Sequence, residues 1–236
     1  MTSTQRIDVS ADPVGTDGAV PRRTSLWRRP WMVPLALLVA AFLFISLPVY
    51  VTLDPARSRI ALSEGFPLHY PFLVAHIAFG TVAMVTVVLQ VWPWLRRRHP
   101  VVHRWSGRLY VFAGVLPSGL LALVITPFAV GPVGNAVGGI LWLGTTIAGY
   151  RMVRQRRYAE HRRWMIYSFA LCLQIIEGRV MVIAAPAFPG FTPDALPPIL
   201  EAASWIGIVI NLLIAQWWLE RTANRRRRVA VTNRQR

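Results

Sequence analysis

The sequence predicts an all-α integral membrane protein with six transmembrane helices, spans two to five forming the core bundle and both termini cytoplasmic. Three observations predict it. Mean hydropathy is +0.43 and 54% of residues are hydrophobic, yet 26 basic residues stand against 10 acidic ones, a combination rare in soluble domains. Six stretches, residues 31–51, 70–95, 107–129, 135–153, 164–185 and 199–219, reach or approach the ~20 apolar residues that a crossing helix needs. The connections alternate in charge: 23 of the 26 arginines fall in the N-terminal tail, the turns 96–108 and 151–163 and the C-terminal tail, whereas the opposite side holds only Arg57 and Arg59. The positive-inside rule then makes the termini and both arginine-rich turns cytoplasmic, in a multi-pass protein of the cell (plasma) membrane.

Taken in order, residues 1–30 are expected to be a disordered cytoplasmic tail, because Thr, Ser, Asp, Gly and Pro dominate its first part. The apolar run from Trp31 to Val51 follows a twin arginine, but it is longer than a signal-peptide core and no A-x-A-like site follows it. It reads as a retained first span of a membrane domain covering 31–219, whose core is about 70–185. "HRWSGRLY" opens span three and "HRRWMIYS" opens span five, their histidines 58 residues apart, so spans two and three and spans four and five look like two hairpins in one orientation. "GNAVG" at Gly134 to Gly138 suits close helix packing at the start of span four. "PAFPGFTPDALPP", with five prolines in thirteen residues, predicts a stiff external connection before span six. Residues 220–236 form a basic cytoplasmic tail.

Arginine placed beside the membrane attracts anionic lipid headgroups, and no soluble domain remains to grip a duplex. The expected partner is therefore the lipid bilayer and not nucleic acid; the sequence does not specify a redox partner or an oligomer. A single cysteine, Cys172, excludes a disulfide framework, a paired-cysteine zinc site and covalent haem attachment. H-E-x-x-H, G-x-S-x-G and the phosphate-binding G-x-x-x-x-G-K-[ST] are missing, so no catalytic set emerges.

Two groups of residues stand out. Ionisable side chains at membrane depth are costly and mark either a function or a tight pair. His76, Glu177, Arg179 and Glu201 meet that description, and Gln174 shares a helical face with Glu177. Glu177 and Arg179 project about 200° apart on a helix, so each needs a partner elsewhere. The expectation is a buried outer-half cluster in which Glu177 meets His76 and Arg179 meets Glu201. The second group is His103 and His161, which begin two same-direction spans after arginine-rich turns. Two imidazoles converging from different helices suit a bis-histidine b-type haem. Arg104, Arg108 and Arg162 are placed to hold its propionates, Gly107 and Gly114 leave room for a flat ring, and Tyr110 lies on the face of His103. His69 and His99 are assigned to loops.

The strings "HIAFGTVAM", "HRWSGRLYV" and "HRRWMIYSFAL" with a later "GRV" resemble the bacterial membrane-protein family named for domain of unknown function 2306, over roughly residues 70–185. That family carries no established activity to transfer. A looser likeness is to the six-helix ascorbate-dependent b-type cytochromes, which pair histidines of spans two and four and of spans three and five around two haems. The likeness implies the His103–His161 pair. His76 fits span two, but span four has no histidine, so at most one haem is implied. The functional expectation is an electron-transfer protein holding one haem b near the cytoplasmic face. The alternatives are a small-molecule or proton-linked transporter or binding protein using the outer polar cluster, and a structural or partner-binding membrane protein.

Overall fold

A computed structural model describes residues 31–234 apart from Val130 and Pro189, with the side chains of Pro193 and 225–234 left undescribed. The expected N-terminal tail, residues 1–30, lies outside these residues. Among them the secondary structure is helical throughout: α1 Met32–Ser46, α2 Pro48–Val51, α3 His69–Val91, α4 Pro93–Arg98, α5 Pro100–Arg108, α6 Leu116–Ile125, α7 Pro132–Arg154, α8 Tyr158–Ala184 and α9 Leu196–Arg234. Four stretches are long and apolar enough to cross a membrane: His69–Val91, Pro100–Phe128, Tyr158–Ala187 and Leu196–Asn224.

The helices of the expected spans one and four are not among these four, each for a local reason. The first apolar run is interrupted at Leu47 by Pro48, leaving the 15-residue α1, about 22 Å long against a ~30 Å hydrocarbon core. Helix α7 has length enough but spends its sequence on small and hydroxyl residues: Gly134, Gly138, Thr145, Thr146 and Gly149 are buried against neighbours. It packs against α6, α8 and α9, so its surface serves helix contacts more than lipid.

The arginine-rich turns are shorter than expected, because helix extends into them. Trp92 is extended before Pro93 and His99 breaks the chain again, yet Pro100 at the first helical position restarts it as α5. The third long stretch therefore starts at residue 100 rather than 107. Arg156 takes a left-handed conformation (φ 61°) in the turn after α7, and α8 begins at Tyr158 rather than 164. At the other end of the chain, α9 runs unbroken through the expected basic tail to Arg234, since no glycine or proline follows Gly207 and arginine is a good helix former.

Between α5 and α6, Leu109–Val115 is a π-helix in which the Leu116 N–H reaches Val111 O. Pro117 explains it: with no N–H and a ring that would collide with the carbonyl four residues back, it displaces the ladder by one residue. The apolar core sits here, where Ala83, Met84 and Val87 of α3 meet Tyr110, Val111 and Val115, with Leu143 of α7 and Cys172 and Ile176 of α8. A Cβ at Gly114 would lie 2.9 Å from Ala83 Cα, so only glycine lets the π-helix approach α3 this closely.

Candidate functional site

His103 and His161 occupy the same place in their helices. Each is the fourth residue, counted from Pro100 in α5 and from Tyr158 in α8, and both helices start at the arginine-rich end of the bundle. Seven residues further on in each chain segment, Tyr110 and Ser168 meet: the Tyr110 hydroxyl is 2.7 Å from Ser168 Oγ. Two parallel helices joined at Tyr110–Ser168 hold His103 and His161 at one level, because a heptad returns nearly to the same helical face. The two imidazoles are close enough to interact electrostatically, with Arg96 and Arg104 nearby.

The surroundings of each ring follow from its neighbours. His161 Nδ1 is 2.8 Å from the Gly149 carbonyl of α7. A carbonyl can only accept, so Nδ1 carries the proton and Nε2 of the neutral ring keeps its lone pair. Metal-binding histidines are commonly oriented by such a bond to a backbone carbonyl. His103 Nδ1 is buried and has no hydrogen-bond partner. Its helix is held instead by Gln90 of α3, whose Nε2 donates to His103 O at 2.8 Å and to Ser106 Oγ at 2.6 Å.

Four supporting residues depart from expectation. Gly107 and Gly114 do not open a slot for a flat ring: Gln90 fills the space at the first, 3.2 Å from a notional Cβ, and α3 fills it at the second. Arg108 lays its guanidinium over the Trp105 ring at 5.1 Å, which occupies the group expected to meet a propionate. Tyr110 is completely buried as a bridge between helices, for besides Ser168 it accepts from Trp142 Nε1 at 3.3 Å, while Ser168 Oγ also meets Thr146 Oγ1 at 2.7 Å. Arg104 is exposed and Arg162 half-buried at the same end of the bundle. No group of three or more His, Cys, Asp or Glu among the described residues is placed to hold a metal ion by side chains alone.

The outer polar cluster is divided in two by α8. Glu177 faces α9, where a Cβ on Gly207 would lie 2.8 Å from its Oε2 and the Asn211 amide stands beside its carboxylate. The Asn211 Nδ2 nevertheless has no partner in hydrogen-bonding geometry. Gln174 turns the same way and donates to Ser204 O at 3.2 Å. Among the described residues Glu201 pairs with neither Arg179 nor any other guanidinium; its Oε1 accepts from Gly134 N at 2.8 Å and Trp205 Nε1 at 2.7 Å, capping the N-terminus of α7, and its Oε2 is left buried without a partner. The first-turn N–H groups of α7 need acceptors, and Glu201 is the acceptor beside them.

His76 and Arg179 lie on the other side of α8. The His76 Nδ1 is 2.9 Å from Ser118 O, and Ser118 Oγ donates back to His76 O at 3.1 Å, which ties α3 to α6. The expected His76–Glu177 contact is not made, because Glu177 points to α9 while α3 packs on the opposite face. Arg179 is in electrostatic reach of His76, Tyr50 and Arg59, and no carboxylate pairs with it among the described residues. Sequence reasoning missed Asn211, Ser168 and Gln90, each a polar residue inside an apolar run. It also missed His69, which is 2% exposed and accepts from Ser63 N at 3.0 Å rather than lying in a loop.

Neither a curated protein nor a solved structure matches the chain. A family model described as "Predicted membrane protein (DUF2306)" matches residues 73–219, the stretch that carries most of α3, all of α4 to α8 and α9 as far as residue 219, and with them His103, His161, Glu177 and Asn211. With most of its length covered by that match, the chain belongs to the DUF2306 family of predicted membrane proteins.

Proposed function

We propose that this chain is a multi-pass protein of the cell membrane, with six crossings and both termini cytoplasmic, that holds one b-type haem between His103 and His161. The orientation rests on the arginine asymmetry. The observation carrying the haem reading is the pair of level imidazoles: one has its tautomer fixed with Nε2 free, and the other has a buried ring nitrogen with no partner. An unsatisfied buried nitrogen costs on the order of 1–3 kcal/mol, and a group bound between the two rings offsets that cost. His103 and His161 would supply the nitrogens that hold the haem iron, and Arg104 and Arg162 the donors for the propionates, while Arg108 serves Trp105 instead. When bound, haem supplies reversible one-electron chemistry. The chain's own part is to hold the two rings level through Tyr110 and Ser168, to fix the His161 tautomer through Gly149 and to anchor α5 through Gln90. The absorption spectrum of protein made with haem available tests this: a Soret band that shifts on reduction and is lost in His103→Ala and His161→Ala, but not in His99→Ala, is expected.

A second reading is favoured by the α7–α8–α9 junction, where the carboxylate of Glu177 and two unpartnered buried polar atoms, Asn211 Nδ2 and Glu201 Oε2, lie in one polar seam. Such a seam suits binding of a proton or small polar ligand linked to transport. Proton uptake by protein in vesicles that is unchanged by Glu177→Gln would remove this reading.

A further inference from the structure

Arg179, Arg59 and Tyr50 form an arrangement that neither reading uses. It lies at the arginine-poor end of the bundle, where α2 ends, α3 begins and α8 nears its end. Arg179 is half-buried on α8, and Arg59 is exposed and anchored by a 3.1 Å bond from Nη1 to Ile45 O. The two guanidinium groups are near enough to repel one another, and no carboxylate pairs with either among the described residues. Tyr50 is 7% exposed, its hydroxyl is buried and without a hydrogen-bond partner, and it interacts electrostatically with Arg179. The Tyr70 hydroxyl, on a ring packed in the same apolar cluster, is also unpartnered, and His76 faces Arg179 from α3.

Like charges held together at the edge of a low-dielectric bundle are unfavourable unless an anion is shared between them. Guanidinium groups present planar pairs of N–H donors that match a carboxylate or phosphate, and a phenol adds one more donor. We propose that Arg179, Arg59 and the Tyr50 hydroxyl bind a single oxyanion group, a carboxylate or phosphate, with Tyr70 and His76 at its margin. The unpartnered Tyr50 hydroxyl points to a ligand where a plain cluster of arginines would not. The occupant is either a soluble anion or the phosphate of a lipid headgroup, since Arg59 is exposed at the arginine-poor end of the bundle.

The test is thermal unfolding of the full-length protein in non-ionic detergent. Sodium phosphate and sodium acetate are compared with sodium chloride at equal ionic strength, and in a second arm a short-chain phosphatidylglycerol is compared with the matching uncharged diacylglycerol. At about ten times the dissociation constant, occupancy is expected to raise Tm by about 2–5 °C. A rise with phosphate or acetate assigns a soluble oxyanion, and a rise with the phospholipid alone assigns a headgroup. Arg179→Gln should abolish the rise, and Tyr50→Phe, which keeps the ring and its packing, should raise the half-saturating concentration by about five- to tenfold. No rise with any of the three ligands, or a rise kept in full by both variants, would overturn the proposal.

Discussion

Replacing Tyr110 by Phe removes one oxygen from the centre of the bundle and tests the contact that levels the two histidines. The ring is completely buried, so its packing is retained, but the hydroxyl accepts from Trp142 Nε1 at 3.3 Å and meets Ser168 Oγ at 2.7 Å. Ser168 Oγ keeps Thr146 Oγ1 at 2.7 Å, whereas the Trp142 N–H loses the acceptor it has here. A buried donor left without a partner costs about 1–3 kcal/mol. For a chain of 236 residues that corresponds to a fall in Tm of about 2–10 °C. Thermal unfolding of Tyr110→Phe, Ser168→Ala and the double variant forms a cycle, and a coupling of about 0.5–3 kcal/mol between the two sites is expected. Strict additivity, or a Tyr110→Phe variant as stable as the parent, would show that Tyr110 does not bridge the helices and would remove the argument for level histidines.

Other consequences follow from the same geometry. Glu201→Ala removes the cap on α7 and should cost about 1 kcal/mol, read as a lower Tm; Glu201→Gln, which can still accept from Gly134 N, should recover most of it. Reporter fusions near residues 100, 157 and 236 are expected to report the cytoplasm and those near 60 and 192 the outside, and reversal at any two would refute the orientation.

The helical class and the long apolar stretches were legible because hydropathy is a property of composition over ~20 residues. Where the helices begin was less so. Arginine and tryptophan near a membrane surface lower hydropathy without opposing helix, so α5 and α8 start earlier than their apolar runs, at Pro100 and Tyr158. The opposite error occurred at Pro48, where an apolar run conceals a broken helix. At the candidate site, the equivalence of His103 and His161 was visible as a 58-residue echo, and the structure adds that both are fourth in their helices. That Glu177 and Arg179 must part company also follows from helical geometry alone. Their partners did not, because which neighbour stands on each side of α8 is set by packing: Gly207 and Asn211 of α9 receive Glu177, and Arg179 turns toward Tyr50. Gly107 and Gly114 misled for a related reason, since a glycine face invites a helix as readily as a cofactor, and here α3 occupies it.

The central claim is that two level imidazoles at the arginine-rich end bind one haem. The most direct measurement is the reduced-minus-oxidised absorption spectrum of the purified full-length protein made with haem available, beside His103→Ala and His161→Ala. The account predicts a b-type spectrum at about one haem per chain, lost in each variant while the variants still unfold cooperatively. A folded parent protein with no Soret band, or a spectrum that survives both substitutions, would contradict it.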